Sequence, residues 1–312
     1  MTQKDDKKMN VLSMFDGMSC GQIALNRLGI PYKKYYSAEL DKYAIQVTKA
    51  NFPETIHLGD VTSQAFMNWV DAMADKGGID LLIGGSPCQG FSKAGKQLNF
   101  DDPRSKLFWV FVKVLKKLKP KYFMLENVRM KKESLDIITE ALGVEPMFIN
   151  SGLVSAQNRQ RYYWTNIPVD GLPNDKGLKL KDVLEPVEPC KFRGGNLKTY
   201  FEKHKQQLIF SKDGLCHVGD ADIRGNQTIK RVYHPDGKAP TLTTMGGGHR
   251  EPKVLTSPVS WRKLTPLECE RLQTVPDNYT NHVSNSQRYK MLGNGWTVDI
   301  VAHIFKGMEI EV

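Results

Sequence analysis

Short apolar runs alternate with amphipathic stretches along this chain, and the alternation predicts strand and helix in turn. Val11-Leu12-Ser13-Met14-Phe15 reads as a first strand, and Asp16-Gly17-Met18-Ser19-Cys20-Gly21 follows as a tight glycine-containing turn. Ile23, Ala24 and Leu28 then fall on one face of a helix, as a period of about 3.6 residues demands. Tyr35-Tyr36-Ser37-Ala38 reads as a second strand ending in Glu39, and Asp41 opens a helix. Ile56-His57-Leu58 is a short third strand that ends in Gly59-Asp60-Val61. Leu81-Leu82-Ile83 reads as a buried fourth strand running into Gly84-Gly85-Ser86-Pro87-Cys88. Leu107, Phe108, Phe111, Leu115 and Leu118 recur at helical spacing with Lys113, Lys116 and Lys117 largely off the stripe, and Pro120 ends that helix. Tyr122-Phe123-Met124-Leu125 is a fifth strand ending in Glu126-Asn127-Val128. A helix around Leu135 to Leu142 and a strand at Met147-Phe148-Ile149 follow, and Gln157 to Trp164 reads as one more strand. In that strand Gln157, Arg159 and Arg161 share a face.

The pattern changes near Pro168. Glycines at 171, 177, 194, 195, 214, 219 and 225 interrupt it, and no long amphipathic helix is visible until Arg262. Thr265-Pro266-Leu267-Glu268 is then a capping box with proline at the first helical position. A last apolar helix lies around Ile300 to Phe305. Strand, glycine loop and helix in succession predict an α/β fold with a doubly wound, mostly parallel sheet. Residues 1–167 plus 256–312 are expected to form one domain, with 168–255 inserted as a small, irregular second one.

Composition narrows the setting. With 40% apolar and 25% charged residues the chain reads as a soluble globular protein. No apolar run approaches the ~18 residues that span a bilayer, and the polar first ten residues do not resemble a signal peptide, so a cytoplasmic location without membrane contact is expected. Five widely spaced cysteines with no Cys-x-x-Cys argue against a disulfide framework and against zinc. Net charge is +10, and between Lys176 and Lys253 fifteen Lys and Arg face nine Asp and Glu, so that quarter of the chain carries 15 − 9 = +6. Such an excess suggests a polyanionic partner, the alternative being a solvated surface.

The candidate chemistry gathers at the carboxyl ends of the strands, where open α/β sheets hold their ligands. Cys88 is held there by glycines and Pro87, and reads either as a thiolate nucleophile or as a buried structural cysteine. Glu39, after the second strand, suits a pair of ribose hydroxyls, and Asp60, after the third, suits an adenine amino group. Either acid could instead be a helix cap or a solvated loop residue. Glu126 places a carboxyl group on the same edge as Cys88. Arg159 and Arg161 suit a phosphate or a carbonyl oxygen, or form a surface ion-pair strip.

Taken together these segments resemble the C5 cytosine-specific DNA methyltransferases. Phe15-Asp16-Gly17 resembles that family's cofactor loop, Ser37 to Ala44 its ribose-binding segment, Gly59-Asp60-Val61 its adenine-binding segment and Gly85 to Ser92 its nucleophile loop. Glu126-Asn127-Val128 matches the glutamate motif, Gln157-x-Arg159-x-Arg161 the arginine motif, and Arg262-x-Leu264-Thr265-Pro266-x-Glu268 and Gly293-Asn294 the last two. The motifs stand in the family's order and cover nearly all of the chain except about 168 to 238. Ser19 and Cys20 replace the usual glycines, and Trp296 replaces a smaller residue. Both features, with Val154-Ser155-Ala156, look closer to the mammalian de novo DNA methyltransferases, while the short chain looks bacterial or phage-like.

The resemblance implies a Rossmann-like methyltransferase fold and methyl transfer from S-adenosyl-L-methionine, released as S-adenosyl-L-homocysteine, to C5 of a flipped-out cytosine in double-stranded DNA. It implies Cys88, Glu126, Arg159 and Arg161 as catalytic residues. Phe15, Asp16, Gly17, Glu39, Leu40, Asp60, Val61, Pro87, Leu107, Asn294 and Trp296 are the implied cofactor contacts, with no metal. Residues 168–255 become a target-recognition domain, and a cognate restriction endonuclease becomes a possible companion. The alternatives are a transfer-RNA cytosine-5 methyltransferase, whose Pro-Pro-Cys and Cys-Phe-Thr segments are missing here, and a non-catalytic DNA-binding homologue, which would be expected to lack the cysteine or the glutamate.

Overall fold

A computed structural model describes residues 8–86, 106–186, 194–201 and 203–309. Pro87 and Cys88 lie outside the described residues. The chain divides into two compact units, one of Met1–Ile149, Gln160–Leu172 and Val301–Val312, the other of Asn150–Arg159 and Pro173–Ile300.

In the first unit the elements run β1 (Met9–Met14), α1 (Cys20–Arg27), β2 (Tyr32–Ala38), α2 (Lys42–Asn51), β3 (Ile56–His57), α3 (Gln64–Ala74), β4 (Leu81–Gly84), α4 (Lys106–Leu118), β5 (Tyr122–Val128), α5 (Lys132–Leu142), β6 (Met147–Asn150) and β7 (Gln160–Thr165). They build a seven-stranded sheet in the order β3-β2-β1-β4-β5-β7-β6. β1 to β5 are mutually parallel, and β7 runs antiparallel to β5. Winding outward from β1 in both directions creates a switch point between β1 and β4, where the crevice of a doubly wound sheet opens. The parallel strands read as near-continuous apolar runs because helices cover them: Leu12, Met14, Leu82 and Leu125 are fully buried with Phe66, Phe111, Val114 and Ile138 of the helices. Two glycines allow this closeness. A Cβ at Gly21 of α1 would stand 2.3 Å from Ile83, and one at Gly84 would meet the Phe111 ring at 2.9 Å.

The strand expected over 157–164 begins later than its pattern suggested. β7 starts at Gln160, so Gln157 and Arg159 precede it and do not share its face with Arg161.

In the second unit the stretch expected to be irregular folds into strands. β8 (Gly194–Tyr200), α6 (Lys203–Gln206), β9 (His217–Ala221), α7 (Gln227–Lys230), β10 (Arg231–Tyr233), β11 (Lys253–Ser257) and β12 (Ser260–Lys263) follow one another. The five strands close into a barrel in the order β10-β11-β12-β8-β9. Ala221, Val232 and Trp261 form its small core with Leu197, Ile223 and Leu255 against them. α8 (Pro266–Leu272) and α9 (Asn285–Asn294) follow in this unit, and α10 (Val298–Phe305) begins in it and continues into the last segment of the first. The capping box at Thr265 forms, with Glu268 fully buried against Arg262 at 2.6 and 2.9 Å. Among the described residues no helix is long and apolar enough to cross a membrane.

Candidate active site

Because β1 to β5 are parallel, the segments that follow them emerge at one edge of the sheet. After β1, Phe15 turns through the left-handed region (φ +58°) and its N–H bonds Ala38 O at 2.9 Å, which ties the first loop to the end of β2. Gly17 follows at φ +57°, where a side chain would be strained. Its N–H donates to Glu39 Oε2 at 2.7 Å, and the other Glu39 oxygen accepts the N–H groups of Leu40 and Asp41 at 2.7 and 2.8 Å. Glu39 is thereby pre-oriented between the first two loops. Leu40 beside it is 67% exposed, an apolar surface that a ligand ring could cover.

Asp16 is buried behind this loop. The Tyr35 hydroxyl donates to its Oδ1 at 2.9 Å. Burial pushes the Asp16 carboxyl up to about 6, against the hydroxyls of Ser13, Ser19, Ser37 and Tyr35, which pull the other way. After β3, Asp60 accepts from both the N–H and the hydroxyl of Thr62 at 2.8 Å, and Val61 is buried in the core of the unit. Leu107, on the first turn of α4, packs half-buried against that same core.

β4 and β5 are joined at their ends by Asn127, whose amide donates to Ser86 O and Oγ at 3.4 Å. Ser86 stands two residues before Cys88 in sequence, so Asn127 links the glutamate strand to the chain that leads to the cysteine. One residue earlier, Glu126 is 8% exposed. Arg161 on β7 brings its Nε to 2.9 Å from Glu126 Oε1, although that N–H is not directed at the oxygen, so charge rather than an aligned hydrogen bond holds the pair. The antiparallel register that sets Glu126 opposite Tyr163 and Val128 opposite Arg161 brings the two charges together.

The remaining expected residues belong to the second unit. Arg159 is 2% exposed, and its guanidinium donates to three backbone carbonyls, Leu242 at 3.2 Å, Gly293 at 3.2 Å and Gly295 at 2.9 Å. Asn294 is exposed at the end of α9 and Trp296 is buried. The turn between them is held by Arg159 and by Gln273, whose amide reaches Leu292 O at 2.6 Å and Gly295 O at 3.1 Å. The structure therefore brings Glu126 and Arg161 into contact and gathers Phe15, Asp16, Gly17, Glu39 and Leu40 around one loop. It gives Arg159 different surroundings from Arg161.

Two residues not singled out from the sequence stand out. Asn127 was legible only as part of a motif. Lys253 is 2% exposed, donates to His249 O at 2.7 Å and Glu251 O at 3.0 Å, and lies over the Trp261 ring. Burial pushes its ammonium down to about 8, with Lys263 acting in the same direction and Glu251 against it.

Comparison with known proteins gives the family. The family model described as C-5 cytosine-specific DNA methylase matches residues 9–309. An orphan methyltransferase of Bacillus phage rho11s, M.Rho11sI, is 29% identical, with 96% of this chain and 97% of that protein covered. The type II methyltransferase M.HpaII of Haemophilus parainfluenzae is 27% identical over 95% of this chain and 87% of its own. The solved structure of S. pombe Dnmt2 methyltransferase is similar in fold, with a TM-score of 0.68 at 17% identity over 96% of this chain and 97% of that one. With the family model spanning nearly the whole chain, the protein belongs to the C-5 cytosine-specific DNA methylases and is a DNA (cytosine-5-)-methyltransferase.

Proposed function

We propose that this chain methylates C5 of a flipped-out cytosine in duplex DNA through a covalent adduct between Cys88 and C6 of the base, drawing on S-adenosyl-L-methionine. The observation that carries the reading is the Glu126–Arg161 pair at 2.9 Å between β5, the strand next to β4, and β7. The residues present suit an adenosyl cofactor. Leu40 leaves an apolar face open beside the Glu39 carboxylate, as a ring above a ribose diol requires, and Asp60 follows the third strand of the same edge. Phe15, Asp16, Gly17, Val61, Pro87, Leu107, Asn294 and Trp296 are the further contacts in this reading. When bound, the cofactor supplies an electrophilic methyl group on a sulfonium.

The protein's own groups supply the rest. C5 of cytosine is a poor nucleophile, and addition of the Cys88 thiolate at C6 makes the ring enamine-like, so that electron density is pushed toward C5. Glu126 holds N3 and the exocyclic amine, and a proton that its carboxylate takes from solvent and passes to N3 as C6 is attacked spares the ring a full negative charge. Arg161 serves the O2 carbonyl while keeping Glu126 in place. After methylation the C5 proton leaves to solvent, the C5–C6 double bond re-forms and the thiolate is expelled. The target base must leave the stack because C6 is covered in the duplex, a class of enzyme for which base extrusion is general.

Residues 168–255 serve as the target-recognition domain in this reading. The barrel strands and the segment 243–250, with exposed Thr243, Thr244, His249 and Arg250, present donors and cations to a DNA groove in this reading. The bacterial and phage relatives support work in the cytoplasm of a bacterial cell, with or without a cognate restriction endonuclease. The test is incubation with tritiated S-adenosylmethionine and either mixed-sequence duplex DNA or transfer RNA, followed by digestion to nucleosides. Label in 5-methylcytosine from DNA, abolished by Cys88→Ala, is the expected result, and label confined to RNA overturns the reading.

A further inference from the structure

We propose that Arg159 and Lys253 are positioning residues for target recognition, two buried cations that hold the two roots of the loop 243–250. The inference rests on the reading above that this loop meets the DNA.

A cation withdrawn from water must be surrounded by oxygens, and each of these donates to backbone carbonyl oxygen at one end of the loop, Arg159 to Leu242 O and Lys253 to His249 O and Glu251 O. At the first root Arg159 donates to Leu242 O, while Gln157 Oε1 accepts the Leu242 N–H at 2.8 Å and the Thr241 hydroxyl donates to Asn158 O at 2.6 Å. The same guanidinium reaches Gly293 O and Gly295 O, so it joins the loop root to the end of α9. That contact is close: a Cβ at Gly293 would lie 1.9 Å from Thr243 O. At the second root Lys253 donates to His249 O and Glu251 O, and Glu251 is itself held by Lys263 at 2.8 Å.

Between the roots the chain has a specified shape but little cover. Met245 is buried, whereas Thr243, Thr244, Gly246, Gly247, Gly248, His249 and Arg250 are exposed. Met245, Gly247, Gly248 and His249 all take positive φ, from +45° to +85°. Two of these are not glycine, and such strain persists only where surroundings over-determine it. The two cations supply that determination from below, leaving the outer face free for a partner. A Cβ at Gly246 would touch nothing, and its φ is ordinary, so the chain's own packing does not call for glycine there.

This assignment differs from a catalytic role for Arg159 in a measurable way. A guanidinium on the base acts on turnover, whereas a guanidinium under the loop acts on how well the loop tells one sequence from another. The test first maps the methylated sequence in genomic DNA treated with the wild-type protein. It then measures KM for a duplex carrying that sequence and for duplexes with one base pair changed, beside the Kd for S-adenosylmethionine and thermal melting. Lys253→Met and Arg159→Met are each expected to raise the DNA KM about tenfold and to cut discrimination about tenfold, the worth of one base contact. The cofactor Kd stays as in wild type, Lys253→Arg restores both values to within about threefold, and the double variant falls short of the product of the single effects, because one loop is being released. A variant that melts lower but keeps its DNA KM and discrimination overturns the proposal. So does an Arg159→Met effect confined to turnover at saturating DNA. Should the methionine variants fail to fold, Gly246→Ala and Arg159→Lys decide. Weaker DNA binding by the first at unchanged melting, with reduced discrimination by the second, supports the assignment, and wild-type values in both refute it. Failure of the underlying reading shows separately, as absence of methyl transfer to duplex DNA by the wild type.

Discussion

Glu126→Gln separates the two jobs assigned to this carboxylate. Glutamine keeps the size and one acceptor oxygen but carries no charge and cannot give up a proton at N3. Two costs follow from the geometry. The first falls on the transition state: a positioned proton donor is worth about 10²- to 10⁴-fold, which is about 3–5 kcal/mol at 1.36 kcal/mol per factor of ten. The second falls on the fold. The Arg161 side chain is 12% exposed and loses its counter-charge at 2.9 Å, and a charged group left with reduced satisfaction at that depth costs about 1–3 kcal/mol. Single-turnover methyl transfer at saturating DNA and cofactor reads the first, because binding then drops out of the rate. Urea unfolding of the free protein reads the second. The expected outcome is a rate lowered by at least about a hundredfold with an unchanged affinity for S-adenosylmethionine. A rate within about threefold of wild type at saturation would refute the role given to Glu126.

Other outcomes follow from the same geometry. Glu268→Gln leaves Arg262 buried without its charge partner, and should cost about 3–5 kcal/mol in urea unfolding; a loss under about 1 kcal/mol would contradict the pairing. For Asp16 the folded carboxyl stands at about 6 against 3.8. The folded protein therefore binds the extra proton between those values, and stability falls as pH rises from about 4 through about 6, by about 3 kcal/mol at most. Asp16→Asn should remove this slope in melting measured across that range, and persistence of the slope would assign it elsewhere. Leu40→Ser should weaken S-adenosylmethionine about tenfold in titration calorimetry, from loss of about 1–2 kcal/mol of apolar cover, and unaltered affinity would remove Leu40 from the site.

The sheet was readable because its strands are buried on both faces and end in glycine or acid. Leu81 to Gly84 is an unbroken apolar run for that reason, and Glu39 follows β2 as the pattern suggests. α3 was not singled out. Yet Phe66, Trp69, Val70 and Met73 recur at i, i+3, i+4 and i+7 and pack with Met67 against one core, so its period was present in the sequence and was missed. The barrel escaped notice for a different reason. β8 carries almost no buried side chain, β10 has three residues, and closure depends on pairings such as Gly194 with Arg262 that are remote in sequence. Short, polar strands leave no period to count. The placement of Arg159 was equally out of reach. A two-residue alternation put it beside Arg161, but β7 begins one residue after it, and the carbonyls that hold it belong to residues 242, 293 and 295.

The central claim is that methyl transfer passes through a bond between Cys88 and C6 of a cytosine in DNA. Fluorine at C5 tests it most directly, because a ring carrying fluorine in place of the C5 proton cannot complete the elimination that frees the thiolate. Duplex DNA with 5-fluorocytosine at the mapped target is incubated with the protein and S-adenosylmethionine, digested with protease and nuclease, and analysed by mass spectrometry. The account predicts a cofactor-dependent adduct of one methylated fluorocytidine nucleotide on the peptide containing Cys88, absent from Cys88→Ala. An adduct on another residue, or steady methylation of ordinary DNA by Cys88→Ala, would contradict it.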